Sequence, residues 1–229
     1  MSKAAPASLN CPFCGTAQEV ILYDSVNVSV DPELKDAVLE QTINTFDCIN
    51  CRKNVSVHKN LLYHDMDNKL LIYLLDRDSE AEAALTGNIF SSFFAYSKMR
   101  SVCSLNHLKE KILIFENGLN DYIIEIIKCA FAEKLADHID HLDPIAFAAQ
   151  NVFFCELAEN EEQTGQDLAF IALSTNQGNL FIRQDFSFYA QIRASYGTEL
   201  ERIASLHDNK LKLVDTELAS QIIGELVNG

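Results

Sequence analysis

Two pairs of cysteines constrain this chain more than any other feature of its sequence. Cys11 and Cys14 stand in "CPFCG", and Cys48 and Cys51 stand in "CINCR". A two-residue spacer lets a tight turn aim both sulfurs at one point. Two such turns supply the four corners of a tetrahedral site, with metal–sulfur bonds of about 2.3 Å when the ion is zinc. Redox motifs share a single C-x-x-C. Two of them, each followed by a strand-like run, describe a zinc ribbon, and the runs here are "EVILYDSVNVSV" and "NVSVHK". Gly15 suits the place after the first turn, because a positive φ costs glycine little. Arg52 stands at the matching place after the second. Order is expected to begin at the first cysteine pair.

The gap between the pairs is long for such a motif, and an inserted helix accounts for it. In "DPELKDAVLEQ", Asp31 is the expected N-cap, Pro32 the first helical position, and Glu33 an acidic residue in the first turn. Leu34, Ala37 and Val38 then fall on one face. Four thiolates close the coordination shell, whereas catalytic zinc keeps a position open for water. The expected role of Cys11, Cys14, Cys48 and Cys51 is therefore a structural zinc centre. The middle residues of each spacer sit at the tips. Phe13 and Ile49 either pack on the rest of the chain or face water as an apolar patch.

"CPFCG", "DPEL", "CINC" and "LLYHD" in one stretch resemble the CpXC domain, a bacterial family with two such pairs. The likeness runs on through "SLNHLKEKILIFENGLNDYIIEIIK" and covers roughly residues 8–135. The second pair lacks the proline and glycine of the family pattern. The resemblance implies zinc binding and no particular activity.

Charge and hydropathy narrow the function classes. The net charge of −15 keeps a chain soluble and repels polyanions. Residues 1–64 carry five Lys/Arg against seven Asp/Glu, so the ribbon lacks the basic face that nucleic acid requires. "MSKAAPASLN" has no apolar run behind its lysine, and no stretch reaches the roughly 20 apolar residues that span a bilayer. A cytoplasmic location without membrane contact is expected. Thiols stay reduced there, which favours metal ligation over disulfides.

Beyond the ribbon, "NLLYHDMDNKLLIYLLD" reads as a hairpin, with His64 and Asp65 at its turn. Residues 79–98 change composition and read as a linker or crossing segment, with Phe90, Phe93 and Phe94 as a core anchor. Ser104 caps one helix, which Gly118 stops, and Asn120 or Asp121 caps the next. Ile123, Ile124, Ile126 and Ile127 cover most of that helix, so Glu125 is enclosed and needs Lys128 or Lys111 as a partner. "DHIDHLDP" reads as a solvated helix end, stopped by Pro144, with His138 and His141 on one face. "NVFFCELAE", "DLAFIALST" and "LFIRQDFSF" read as strands. "YAQIRASYGTELERIASL" reads as a helix interrupted by glycine, and a strand and a closing helix capped by Asp215 or Thr216 follow. Cys103, Cys129 and Cys155 lie in apolar runs and read as inert buried thiols.

The expected fold class is α+β: a zinc ribbon with an inserted helix over residues 8–78, a connecting segment over 79–98, and a mixed α+β body over 99–229. The expected function is a protein-interaction or scaffold module whose cofactor is zinc and whose partner is another protein. One alternative is an enzyme with a site between ribbon and body, using His64, Asp65 or Glu125. Another is a nucleic-acid-binding ribbon.

Overall fold

Strand alternation and helical capping build an α+β molecule with three sheets among the described residues. The computed structural model describes residues 1–75, 98–136, 139, 143–160, 165–205 and 212–228. These fall into two compact units, Met1–Lys109 with Asn209–Lys212, and Glu110–Asp208 with Leu213–Gly229.

In the first unit, β1 (Lys3–Asn10), β2 (Ala17–Asn27), β5 (Leu61–Asp65), β6 (Leu70–Leu74) and β7 (Lys98–Val102) form one mixed sheet in the order β1-β2-β5-β6-β7. β1 runs antiparallel to β2 and β5 antiparallel to β6, while β2/β5 and β6/β7 are parallel. β6 is buried on both faces, with Leu70, Leu71 and Ile72 at most 1% exposed, and β5 buries Leu61 and Tyr63 on one face. β3 (Thr45–Asp47) and β4 (Asn54–Ser56) make a separate two-stranded hairpin. α1 (Glu33–Leu39) lies between β2 and β3 and buries Val38.

Two expectations fail in this unit. Order does not begin at Cys11, because residues 3–10 pair with β2 along their whole length. "KAAPASLN" hides its strand by composition: alanine and proline have low β-propensity. β1 is an edge strand, where proline is tolerated because one row of donors has no partner to lose. Asp31 does not cap α1; its carboxylate accepts the Ser2 backbone N–H at 3.1 Å and ties down the N-terminus instead.

α2 (Leu105–Glu116) is capped by Ser104, whose Oγ accepts the His107 N–H. It stops at Gly118, with φ 66°, where the N–H groups of Gly118 and Leu119 return to Phe115 and Ile114. The second unit is built around α3 (Asp121–Leu135), whose Ile123, Ile124 and Ile127 are fully buried. Asn120, not Asp121, caps it through the Tyr122 N–H. α3 packs on α4 (Pro144–Asn151), α5 (Phe186–Ser205) and α6 (Thr216–Asn228). β8 (Val152–Glu159), β9 (Gln166–Thr175) and β10 (Gly178–Asp185) form an antiparallel sheet in the order β10-β9-β8. Phe170 of β9 meets Phe131 of α3 and Phe154 of β8 edge-on, with centroids 5.0 and 5.7 Å apart.

Here too local chemistry corrects the reading. Pro144 starts α4 rather than stopping a helix: Asp143 accepts the Ala146 N–H, and proline fits N1 because its missing donor is an orphan there. The run "LFIRQDFSF" changes from strand to helix at Phe186, where Asp185 accepts the Ser187 N–H. Gly197 does not interrupt α5. Residues 79–97, including Phe90, Phe93 and Phe94, lie outside the described residues, as do Asp137, His138, Asp140 and His141.

Candidate metal centre

The four paired cysteines are delivered by two hairpins that end alike. The β1–β2 ladder closes at Asn10 opposite Ala17, and the β3–β4 ladder closes at Asp47 opposite Asn54. Loops of equal length, residues 11–16 and 48–53, cap them. Their backbones superpose in hydrogen bonding. The Cys11 N–H donates to Thr16 O at 2.9 Å and the Gly15 N–H to Cys11 O at 2.9 Å. Likewise, the Cys48 N–H donates to Lys53 O at 3.0 Å and the Arg52 N–H to Cys48 O at 2.9 Å. The fifth residue of each loop is left-handed: Gly15 at φ 74° and Arg52 at φ 59°. Arginine at that place therefore does not change the turn.

Gln18 clamps the two loops together. Its Nε2 donates to Asp47 O at 3.2 Å, and its Oε1 accepts the Ile49 N–H at 2.9 Å. Beside this clamp the Sγ atoms of Cys11, Cys14, Cys48 and Cys51 lie within 4.8 Å of one another. Sγ of Cys11 lies 3.7 Å from that of Cys51, and Sγ of Cys14 lies 3.5 Å from that of Cys48. None is in a disulfide. A tetrahedron with metal–sulfur bonds of about 2.3 Å has edges of about 3.8 Å. The donor set and its spacing thus fit one metal ion.

Three of the thiols sit in unequal surroundings. The Thr16 hydroxyl, followed by its backbone, draws the Cys14 thiol down to about 5. The Cys51 backbone N–H holds Cys48 below the ordinary thiol range. The Lys53 backbone pulls Cys51 down, but burial and the three neighbouring sulfurs outweigh it and push it up to about 11. Repulsion among the sulfurs is what a bound cation removes. The apolar packing around them is small: Cys11, Cys48 and Val55, with Phe46 and Cys51 at the margin. Both tips face solvent. Phe13 is 57% exposed and Ile49 63% exposed, with the Lys53 ammonium 4.4 Å from the Phe13 ring centre.

The other sequence candidates have structural partners. Asp65 accepts the Asn68 N–H and its side-chain amide, closing the β5–β6 turn. His64 is its neighbour on a strand, so the two side chains leave by opposite faces. Burial lowers the His64 pKa. Glu125 lies in the second unit, fully buried, and both expected lysines reach it: Lys111 Nζ at 2.8 Å and Lys128 Nζ at 2.9 Å. Thr216 Oγ1 donates to its second oxygen at 2.9 Å. One pairing escaped the sequence reading. Cys103 is not isolated, since His107 Nδ1 lies 3.6 Å from its sulfur. The i,i+4 spacing across a helix start was the signal available.

Among the described residues, no helix is long and apolar enough to cross a membrane. No curated protein and no solved structure matches the sequence. The profile of the CpXC protein family matches residues 9–128, more than half of the 229-residue chain, and covers both hairpin loops and all four clustered cysteines; the chain belongs to the CpXC family.

Proposed function

We propose that the chain binds one zinc ion at Cys11, Cys14, Cys48 and Cys51 as a structural centre, and that the ribbon so formed is a docking module for another protein. The observation that carries the zinc reading is the sulfur spacing, which approaches the edge of a zinc–thiolate tetrahedron. Four thiolates leave no position for a reacting water, so the centre organises the fold rather than catalysing a reaction. The small local core makes the ion's contribution necessary, and such sites supply on the order of 10–16 kcal/mol of apparent binding free energy. Reduced thiols require a compartment such as the cytoplasm.

The docking reading rests on Phe13 and Ile49, which stand exposed at the tips. Large exposed apolar side chains, with the Lys53 ammonium beside the Phe13 ring, are of the kind that anchor interfaces. The acidic balance of the first 64 residues opposes a polyanion partner.

Metal analysis of the purified protein should give one zinc per chain; no metal, or iron with visible absorbance, overturns the centre. Phe13→Ala should keep zinc and thermal stability while losing the partner captured by the wild type from the native host. Loss of zinc or of stability in that variant assigns Phe13 to the fold and sinks the docking claim. Binding to DNA or RNA at physiological salt should stay at the generic level, on the order of 10⁻⁴–10⁻⁶ M.

A further inference from the structure

A cleft of about 320 Å³ opens in the first unit, away from the four clustered cysteines. Its size is at the lower end of small-molecule sites, roughly 300–1,000 Å³. Ile43, Val57, Leu74 and Leu105 give it apolar walls. Cys103 and Ser104 also line it, at the start of α2.

Three groups there are arranged for chemistry. Sγ of Cys103 lies 3.6 Å from Nδ1 of His107, and Oγ of Ser104 lies 2.6 Å from the same nitrogen. Ser104 Oγ also accepts the His107 backbone N–H, and its hydroxyl proton is free to rotate about the C–O bond. In the tautomer that carries its proton on Nε2, and with the Ser104 hydroxyl turned from the ring, the Nδ1 lone pair is open to the Cys103 thiol. The backbone N–H groups of Leu105 and Asn106, the first two of α2, donate to no partner among the described residues, and both residues line the cleft. Orphan donors at a helix start favour a thiolate and can receive a developing oxyanion. The other titratable groups on the cleft wall are His58 and Lys59, and Lys59 is ion-paired with Asp24 of β2 at 2.5 Å.

We propose that Cys103 is a nucleophile with His107 as its base, and that the cleft accepts the acyl group of a small ester or thioester. The Cys103 proton passes to His107 Nδ1, and the sulfur attacks the carbonyl carbon. A C–S bond to Cys103 forms and the bond to the leaving alcohol or thiol breaks, the leaving group taking the proton from His107. Water then attacks the acyl-thioester, giving its proton to Nδ1. The C–S bond breaks, a carboxylic acid leaves, and the proton returns to Cys103. The apolar walls take the acyl chain, and the Leu105 and Asn106 N–H groups take the oxyanion. This site shares no residue with the metal centre, so zinc content and acyl transfer are separate readouts.

The test uses the full zinc-loaded chain and p-nitrophenyl butyrate, with peptide mass spectrometry to locate the acyl group. A burst of nitrophenol with butyrate on Cys103 is expected, and Cys103→Ser should abolish it. His107→Gln leaves the Ser104 cap its backbone N–H and should slow acylation roughly tenfold or more. Alkylation of Cys103 by iodoacetamide in the wild type provides a measurement that needs no variant. Its rate should reach half-maximum clearly below pH ~8.5, the ordinary thiol value. Alkylation that rises only at the ordinary pH overturns the pairing with His107. Absence of acyl-Cys103, or acylation on another residue, overturns the acyl class.

Discussion

Arg52 carries the second hairpin loop through a conformation that residues with a Cβ avoid, at φ 59°. The left-handed region costs such a residue about 1–2 kcal/mol, and glycine reaches it without that cost. Arg52→Gly should therefore raise the stability of the metal-bound form by about 1 kcal/mol, seen as a higher urea midpoint at unchanged slope. A lower midpoint would mean that the arginine side chain contributes more than its backbone loses. Gly15→Ala tests the same physics in reverse. Its added Cβ meets nothing within 4 Å, so the loss, about 1 kcal/mol, reports the backbone alone. Cys48→Ser removes a donor from the closed set of four and should abolish stoichiometric zinc, with loss of amide protection confined to the first unit. Retained zinc at full occupancy would exclude Cys48 as a ligand.

Gln18 shows how two short elements are made to act as one. Each hairpin alone is marginal, β3 and β4 being three residues each. The Gln18 amide gives one bond to each direction across the loops, to Asp47 O and from the Ile49 N–H. Gln18→Ala should leave the ligands in place yet speed zinc transfer to a chelator several-fold, in keeping with about 1 kcal/mol per lost hydrogen bond. An unchanged transfer rate would show that the sulfurs alone set the geometry. The elements that the sequence revealed were those with strong local chemistry. The cysteine spacing disclosed the loops, and Ser104 and Gly118 bounded α2 correctly. β1 was hidden because Ala4, Ala5, Pro6 and Ala7 have no strand signature; their pairing is imposed by β2. α4 was hidden because proline punctuates both ends of helices, and only the Asp143 contact to the Ala146 N–H decides which. Cys103 and His107 look unremarkable in sequence because a cleft wall assembled from β3–β6 neighbours is non-local.

At the scale of the whole molecule, the two units are stabilised by different means. The first gathers four sulfurs around a place for a cation; the second gathers five ionisable groups without one. Glu110, Lys111, Asp121, Glu125 and Lys128 are each at most 1% exposed. Lys111 reaches Asp121 at 3.5 Å and Glu125 at 2.8 Å, and Lys128 reaches Glu125 at 2.9 Å and Glu110 at 3.2 Å. Three carboxylates thus face two ammoniums, and the environments divide them. Burial raises Glu110 above the usual carboxylate range, against the pull of Lys128. Burial also acts to raise Glu125, but Lys111 and Lys128 overcome it and hold it at about 2. Because the folded pKa of Glu125 is depressed, its stabilisation is fully present above the unfolded value near 4.5 and is lost as pH falls towards 2. Over that window the stability of the second unit should fall, with Glu125 contributing on the order of 3 kcal/mol. Glu125→Gln at pH 7 removes the carboxylate that the two ammoniums share, leaves Lys111 with Asp121 and Lys128 with Glu110, and should cost about 1–3 kcal/mol. Thr216→Val is the gentler probe. It removes the hydroxyl that donates to Glu125 without touching a charge, so the acid midpoint should move up while the fold at pH 7 persists. The measurement is unfolding free energy against pH, followed by amide exchange at Ile123, Ile124 and Ile127. An acid limb that is identical in wild type and Thr216→Val would show that Glu125 does not govern the acid stability of this unit.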